Sequence, residues 1–424
     1  MLLLACFPPL VLAQQTERTW NDYFQLEQVE LLVDQARQAL RNGRYPEAEA
    51  LLEQSLQINR ATIGLHNPSQ LALVDQLLEA LLVQGKWDEF EQKLDYTAWL
   101  NRKINANDPQ ALANGLLRQS DWHRAAAGVI QRSRSAWYLI QGKYLNWQAV
   151  SELETHYGRQ DPRLAPVLYQ IVLEHFYQSV LNERRGMTSY ELKSDENTPA
   201  NSWMFSRNES VQRSYRIGRE NLQRIRELYQ PIQDIPNSTD ALLQIYQADW
   251  EFLHGNNRVA LALYQNAYHE LLAAGIAEAE VDGYFNQLTK LPAQSLQTEW
   301  LKPRAKDNES TVEFFAWSAL YPGAEAPAEF LQPPFQVFSD DSQRAEVELK
   351  LEVTGDPASG NFNYEIADLN IKYVVPDGEE MTDKVLIEVP LIKFRPRLVA
   401  GELANHEPFL VSYQFARQQG DTAE

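Results

Sequence analysis

The stretch LVQGKW at residues 82–87 indicates a turn between two helices, because a glycine that ends an apolar, periodic segment is followed by an aromatic residue. Glycine, a basic residue and an aromatic residue also occur in GRY at residues 43–45 and in LIQGKY at residues 139–144. Amphipathic segments flank each of these sites. The pattern predicts helical hairpins with hinge residues Gly43, Tyr45, Gly85, Trp87, Gly142 and Tyr144.

Small and apolar residues follow the first two hinges at helical spacing. They are Ala48, Leu52 and Ser55 after the first hinge, and Phe90, Leu94 and Thr97 after the second. These hinges lie 42 residues apart, and the segment GLHNP at residues 64–68 separates one helix from the next. In these features the chain resembles a tetratricopeptide repeat of the long, kinesin-light-chain-like variety.

A later unit has the small, hinge and aromatic residues of such a repeat at the matching offsets. They are Ala248, Gly255, Ala260, Tyr264 and Ala267. The resemblance implies a mostly α fold with an α-solenoid over residues 14–300, although an irregular helical domain would show nearly the same pattern. The spacing between residues 105 and 235 leaves the register of the repeats open there.

A polar stretch at about residues 185–213 interrupts the helical periodicity and predicts an inserted loop. It contains Trp203 and Phe205. These aromatic side chains either anchor a ligand or dock the loop onto the helices, and the cost of exposing such side chains favours docking.

The periodicity becomes alternating after a predicted linker at residues 301–332. Val347, Leu349 and Leu351 alternate with charged residues, which predicts a half-buried strand. A glycine-containing turn at residues 355–361 then leads to a second strand that begins near Phe362 and completes a hairpin.

The order of elements over residues 333–418 resembles the C-terminal domain of the TonB family. The elements are a PPF segment at 333–335, the hairpin, a short helix, the motif residues Phe394, Arg395 and Pro396, a turn at Gly401 and a closing strand. The resemblance implies a small α+β domain, followed by a tail at 419–424. Pro390 falls where the family has a helix interior, so this helix must be kinked, shortened or replaced.

The closing strand, with Val411, Tyr413 and Phe415 on one face, is the predicted edge of this sheet. An edge leaves backbone groups unpaired, and these can accept a strand from a partner. The other interpretation is that its aromatic side chains only cover neighbouring helices.

Composition excludes some partners. The chain has 58 acidic residues against 38 Lys and Arg, a formal charge of -20, which disfavours nucleic acid and anionic lipid. The apolar segment 1–13 predicts an export signal, and therefore a bacterial periplasmic location without a membrane span in the mature chain. Lipidation at Cys6 is a less favoured alternative.

The sequence contains no recognisable catalytic motif. Its seven histidines are scattered, with neither metal-ligand spacing nor a nearby cysteine set, so we predict no metal site and no cofactor. Its paired carboxylates are typical of a solvated acidic surface.

The favoured hypothesis is thus a noncatalytic, exported scaffold that binds a protein or peptide of the cell envelope. The predicted groove residues are Asp75, Gln76, Glu79, Gln244 and Gln247. The alternatives are a TonB-like accessory in transport through outer-membrane receptors, and an envelope enzyme with a carboxylate site formed by folding.

Overall fold

The computed structural model describes residues 10–129, 132–185, 207–232, 236–293, 295–300, 311–316, 343–375 and 377–415. The first nine residues of the predicted signal, the loop residues Trp203 and Phe205, the PPF segment at 333–335 and the tail at 419–424 lie outside these ranges. The chain divides into two compact units that meet in sequence at Asn107 and Asp108.

The described chain is mostly helical, with a small region of sheet near its C-terminal end. The helices are α1 (Leu10–Arg41), α2 (Tyr45–Ile63), α3 (Ser69–Gln84), α4 (Trp87–Ile104), α5 (Pro109–Val129), α6 (Arg132–Tyr157), α7 (Leu164–Arg185), α8 (Arg207–Tyr229), α9 (Thr239–Leu253), α10 (Asn257–Ala273), α11 (Glu278–Phe285) and α12 (Glu379–Glu388). The strands are β1 (Lys290–Leu291), β2 (Thr311–Ala316), β3 (Gln343–Asp356), β4 (Asn361–Val375), β5 (Lys393–Phe394), β6 (Arg397–Val399), β7 (Glu402–Ala404) and β8 (His406–Phe415).

Two of the three early hinges are confirmed in the first unit. Gly43 separates α1 from α2, and Gly85 separates α3 from α4, each with a left-handed backbone that glycine adopts without strain. Consecutive helices from α1 to α4 pack on one another. The small and apolar residues that follow the hinges, Ala48, Leu52, Phe90 and Leu94, are buried in these contacts.

The prediction of a hinge at Gly142 and Tyr144 is wrong, because both residues lie inside α6. Gly142 instead allows α5 and α6 to approach closely: Ser120 Oγ donates a hydrogen bond of 2.9 Å to the Gly142 carbonyl oxygen. A β-carbon at this position would lie 3.3 Å from two oxygens of Ser120. The glycine is therefore explained by helix packing and not by a turn.

The late hairpin is confirmed as a helix pair. Gly255 has φ of 77° and joins α9 to α10, while Ala248, Ala260, Tyr264 and Ala267 are all buried. In the region of the predicted insertion, α8 begins at Arg207, and only residues 186–206 between α7 and α8 lie outside the described structure.

The predicted hairpin is formed by β3 and β4, which pair antiparallel. The four-stranded sheet has the order β2-β8-β3-β4, and β2 comes from the segment 301–332 that the sequence predicted as a linker. The prediction that the closing strand is an edge is wrong. Strand β8 lies between β2, to which it is parallel, and β3, to which it is antiparallel.

One hydrophobic core joins the sheet to the helix pair α9–α10. Ile245 of α9 and Tyr264 of α10 lie in the same buried cluster as Val347 and Leu349 of β3. Val385 of α12 belongs to this cluster as well. The C-terminal strands and the late hairpin therefore share one core.

Helix α12 is shortened at its C-terminal end. It ends at Glu388, directly before a 3-10 turn that contains Pro390. A proline inside the helix would remove a backbone hydrogen bond and collide with the preceding turn, so the helix stops before it.

Candidate functional site

The predicted groove residues are not exposed side by side. Asp75, Gln76 and Glu79 lie on α3 of the first unit and are buried. Gln244 and Gln247 lie on α9 of the second unit, where Gln244 is buried and donates a hydrogen bond of 2.6 Å to Glu270. A partner reaches such buried side chains only by displacing their neighbours, so their role in binding stays a prediction.

The predicted strand-exchange residues lie on an inner strand. Val411 is buried in the hydrophobic core, and the backbone of β8 over residues 410–415, which include Tyr413 and Phe415, is paired on both sides. Strand addition needs unpaired backbone groups along one side of a strand. It therefore cannot occur at residues 410–415 of β8 while β2 remains in place.

The motif residue Arg395 forms a buried ion pair. Its Nε donates to Asp249 Oδ1 over 2.9 Å and its terminal nitrogen donates to Asp249 Oδ2 over 2.6 Å. Phe394 and Pro396 on either side are also buried, and the Arg395 backbone nitrogen donates to the Thr289 carbonyl. This two-point pairing has the geometry that makes arginine–carboxylate contacts strong.

Two tyrosines complete this network. Tyr264 of α10 donates a hydrogen bond of 2.7 Å to Asp249 Oδ1, and Arg395 donates over 3.3 Å to the Tyr284 hydroxyl. Burial by itself lowers the pKa of Arg395, but the attraction of Asp249 raises it well above its ordinary value. The network therefore holds fixed charges and joins the C-terminal segment to α9.

The sequence pointed to Arg395 and Tyr264 separately but not to Asp249. Asp249 sits between the small residue Ala248 and the aromatic residue Trp250 on α9, and all three residues are buried. An acidic residue on a buried helical face is a signal that predicts an ion pair, although the sequence alone does not identify the partner.

A surface cluster in the first unit has the chemistry of a binding site. We call Ile63, Leu65, His66, Tyr96 and Trp99 the aromatic patch. Leu65 is 59% exposed, Ile63 43% and Trp99 38%. The His66 and Trp99 rings lie 5.2 Å apart, and the Tyr96 and Trp99 rings lie 5.7 Å apart.

Hydrogen bonds beneath the aromatic patch hold it in shape. Tyr96 donates to Gln70 over 2.5 Å, and Gln70 donates over 2.7 Å to the carbonyl of Gly64, which ends α2. Arg60 donates to the Tyr96 hydroxyl over 3.2 Å and lies 4.3 Å from its ring centre. Such a preorganised surface loses little side-chain entropy when a partner binds.

Two basic residues of α4 lie beside the aromatic patch, as does the exposed Asp95, four residues before Trp99. Arg102 and Lys103 are exposed and follow Trp99 by three and four residues, so they share its face of the helix. The sequence contained a signal for this cluster, because Tyr96 and Trp99 also stand three residues apart, but the pattern of repeat hinges does not reveal it.

Other kinds of site find no support in the described ranges. They contain no group of His, Cys, Asp and Glu residues that is arranged to hold a metal ion. None of the helices described is both long and apolar enough to cross a membrane. No model of a known protein family matches the chain, and no curated protein matches it.

Proposed function

We propose that the protein is a noncatalytic scaffold that binds a protein or peptide partner, and that the aromatic patch is its principal contact. The proposal includes export to the periplasm through the segment 1–13 and stacking of the helical hairpins as tetratricopeptide-like repeats. The observation that carries it is the exposure of Trp99 and Leu65 on a rigid, hydrogen-bonded base.

The composition of the aromatic patch supports this function. Tryptophan, tyrosine and arginine contribute most of the binding free energy at protein interfaces, and Trp99, Tyr96 and Arg60 lie together here. Exposed apolar side chains that lie together often mark a binding surface, and Leu65 precedes His66, whose ring contacts that of Trp99. Arg102 and Lys103 favour a partner surface that is acidic around an apolar centre.

A tryptophan variant tests the proposal. We expect Trp99→Ala to weaken binding by about 30-fold, since truncation at such a centre costs about 2 kcal/mol or more. The partner is first identified by crosslinking in envelope extracts, and its affinity for the purified protein is then measured by calorimetry.

Trp147→Ala is the matched control, because Trp147 is 39% exposed and lies on α6, outside the aromatic patch. It should leave the affinity unchanged. Equal loss in both variants, or no loss in either, would show that the partner does not bind through the aromatic patch.

The transport alternative is supported by a different strand from the one predicted. Strand β4 is a terminal strand of the described sheet, and Tyr373 and Val375 near its end are exposed. If a receptor segment adds to β4, Tyr373→Asp should abolish crosslinks to outer-membrane receptors and leave binding at the aromatic patch intact. Unchanged crosslinks would count against this alternative.

A further inference from the structure

Glu174 is a buried carboxylate to which no residue of the described ranges donates a hydrogen bond of normal geometry. It lies on α7 with only 1% of its surface exposed, and neither side-chain oxygen accepts a hydrogen bond from the residues that the structure describes. Asn146 on α6 is also buried, and within the same ranges its side-chain nitrogen and oxygen are both unpartnered. This is unusual, because most buried polar groups in proteins are paired.

The positively charged Arg124 makes its contacts with residues other than Glu174. Arg124 of α5 forms an ion pair with Asp121, donates over 3.4 Å to Gln170 and lies 5.6 Å from the ring centre of Tyr177. These contacts place its guanidinium on the face of α7 that carries Glu174, since Gln170 is one turn before that residue. The guanidinium does not, however, donate a hydrogen bond to the Glu174 carboxylate.

An ionised carboxylate in this position costs several kcal/mol, because burial removes its hydration and no side chain of the described ranges donates a hydrogen bond in exchange. This cost is avoided if the carboxyl group of Glu174 binds a proton and becomes neutral. Burial raises the pKa of Glu174 to about 7, although the positive charges of Arg124 and Lys143 act in the opposite direction. Asp121 also raises the pKa, while the side-chain amide of Gln178, one turn further along α7, approaches the carboxylate and lowers it. This approach does not reach hydrogen-bond geometry, because the Gln178 side-chain nitrogen has no partner within the described ranges.

We propose that Glu174 is a proton-binding site of the protein, and that loss of its proton loosens the packing of α7 against α5, α6 and α8. The helical part of the second unit then resists local opening most strongly when Glu174 is neutral. It becomes easier to open as the solution changes from mildly acidic to mildly alkaline.

The direction of the effect follows from proton linkage. The carboxyl group holds its proton up to about pH 7 in the folded chain but only to about pH 4.5 in the unfolded chain. The folded state therefore binds more protons between these values. The stability that protonation contributes is complete below pH 4.5 and is lost as the pH rises to 7.

Two buried histidines, His123 on α5 and His175 on α7, make the stability change with pH in the opposite direction. Burial lowers the pKa of His175 to about 3 and that of His123 to about 4, and Lys143 and Arg213 add to the effect on His175. Both rings are neutral in the folded chain and gain a proton on unfolding below about pH 6.5. A test of Glu174 must therefore compare variants that retain both histidines.

Hydrogen exchange of peptides from α7, measured by mass spectrometry between pH 4 and 8.5, provides this test. The protection in Glu174→Gln is divided by that in the wild type at each pH, which cancels the contributions of His175 and His123. We expect the ratio to rise by up to about 300-fold across this range, the equivalent of a pKa shift from 4.5 to about 7.

Glu220→Gln is the matched control, because Glu220 is an exposed residue of α8. The protection in Glu220→Gln divided by that in the wild type should stay constant across the pH range. A constant ratio for Glu174→Gln as well would overturn the proposal.

If Glu174→Gln does not fold, Glu174→Leu takes its place. Infrared titration of the wild-type protein gives a second measurement, in which a protonated carboxyl band that disappears near pH 7 supports the proposal. The absence of any such band above pH 5 would overturn it.

Discussion

The helix pair α9–α10 and the helices α5–α7 bury their polar groups in different ways. In the first, Asp249 has two hydrogen bonds from Arg395 and one from Tyr264. In the second, the Glu174 carboxylate on α7 accepts no hydrogen bond from the described part of the chain. Two helical regions of the same chain therefore differ in whether a buried carboxylate receives hydrogen bonds.

The difference shows what a buried charge needs in order to remain a charge. Asp249 obtains a partner from a residue 146 positions away in sequence, and the result is a buried ion pair that ties the segment after β5 to α9. Glu174 has helical neighbours whose donors do not reach it, so a proton takes the place of a partner. The first region is therefore expected to be rigid and the second to respond to pH.

The largest expected effect is at the ion pair. We expect Arg395→Ala to lower the free energy of unfolding of the second unit by about 3–5 kcal/mol, because it leaves the Asp249 charge buried without compensation. Urea unfolding followed by the exchange of α9 and α10 peptides would measure the loss.

The double variant Asp249→Leu, Arg395→Met separates charge from packing. It should recover most of the stability, since replacement of both partners by apolar groups is often nearly neutral. A double variant as unstable as Arg395→Ala would mean that the pair acts through its shape and not through its charges.

The second-largest expected effect is the loss of stability at low pH that the buried His175 causes in the α5–α7 region. His175 is buried, and its Nδ1 atom lies 3.4 Å from Ser214 Oγ. Its pKa in the folded chain is about 3, below the ordinary value of 6.5. Stability is therefore lost as the pH falls below 6.5, by about 3 kcal/mol at pH 4. We expect His175→Gln to remove this loss.

Urea unfolding of His175→Gln and the wild type at pH 7 and pH 4 checks this expectation. The two proteins should differ far more at pH 4 than at pH 7. The same difference at both values would show that the ring titrates normally in the folded chain.

The smallest effect concerns two glycines, one from each region. Gly255→Ala should cost about 1–2 kcal/mol, because its φ of 77° strains any residue with a β-carbon. Gly142→Ala should cost less, since better helix propensity, worth about 1 kcal/mol, offsets the contact with Ser120. Denaturant midpoints measure both, and a larger cost at Gly142 would show that the contact with Ser120 outweighs the gain in helix propensity.

Local patterns in the sequence predicted much of the fold. The hinges at Gly43, Gly85 and Gly255 and the hairpin β3–β4 depend on residues close in sequence, and each is confirmed. The prediction at Gly142 failed because a glycine that permits a close helix contact and a glycine that ends a helix look alike when each is followed by an aromatic residue.

The functional residues were less predictable. The groove residues on α3 and α9 were predicted as polar positions on inner faces, and the structure buries Asp75, Glu79 and Gln244. The aromatic patch instead depends on how the turn after α2 meets the last turns of α4, which brings the ring centre of His66 to 5.2 Å from that of Trp99. Such a contact between separate helices has no local pattern.

The sequence by itself determined most of the helices and the β3–β4 hairpin, because backbone propensities and side-chain periods act over a few residues. Only the tertiary structure decided that Arg395 meets Asp249, that β8 lies inside the sheet and that Glu174 is left without a donor in the described chain. These outcomes depend on which distant surfaces exclude water together, and no short stretch of the chain encodes such a contact.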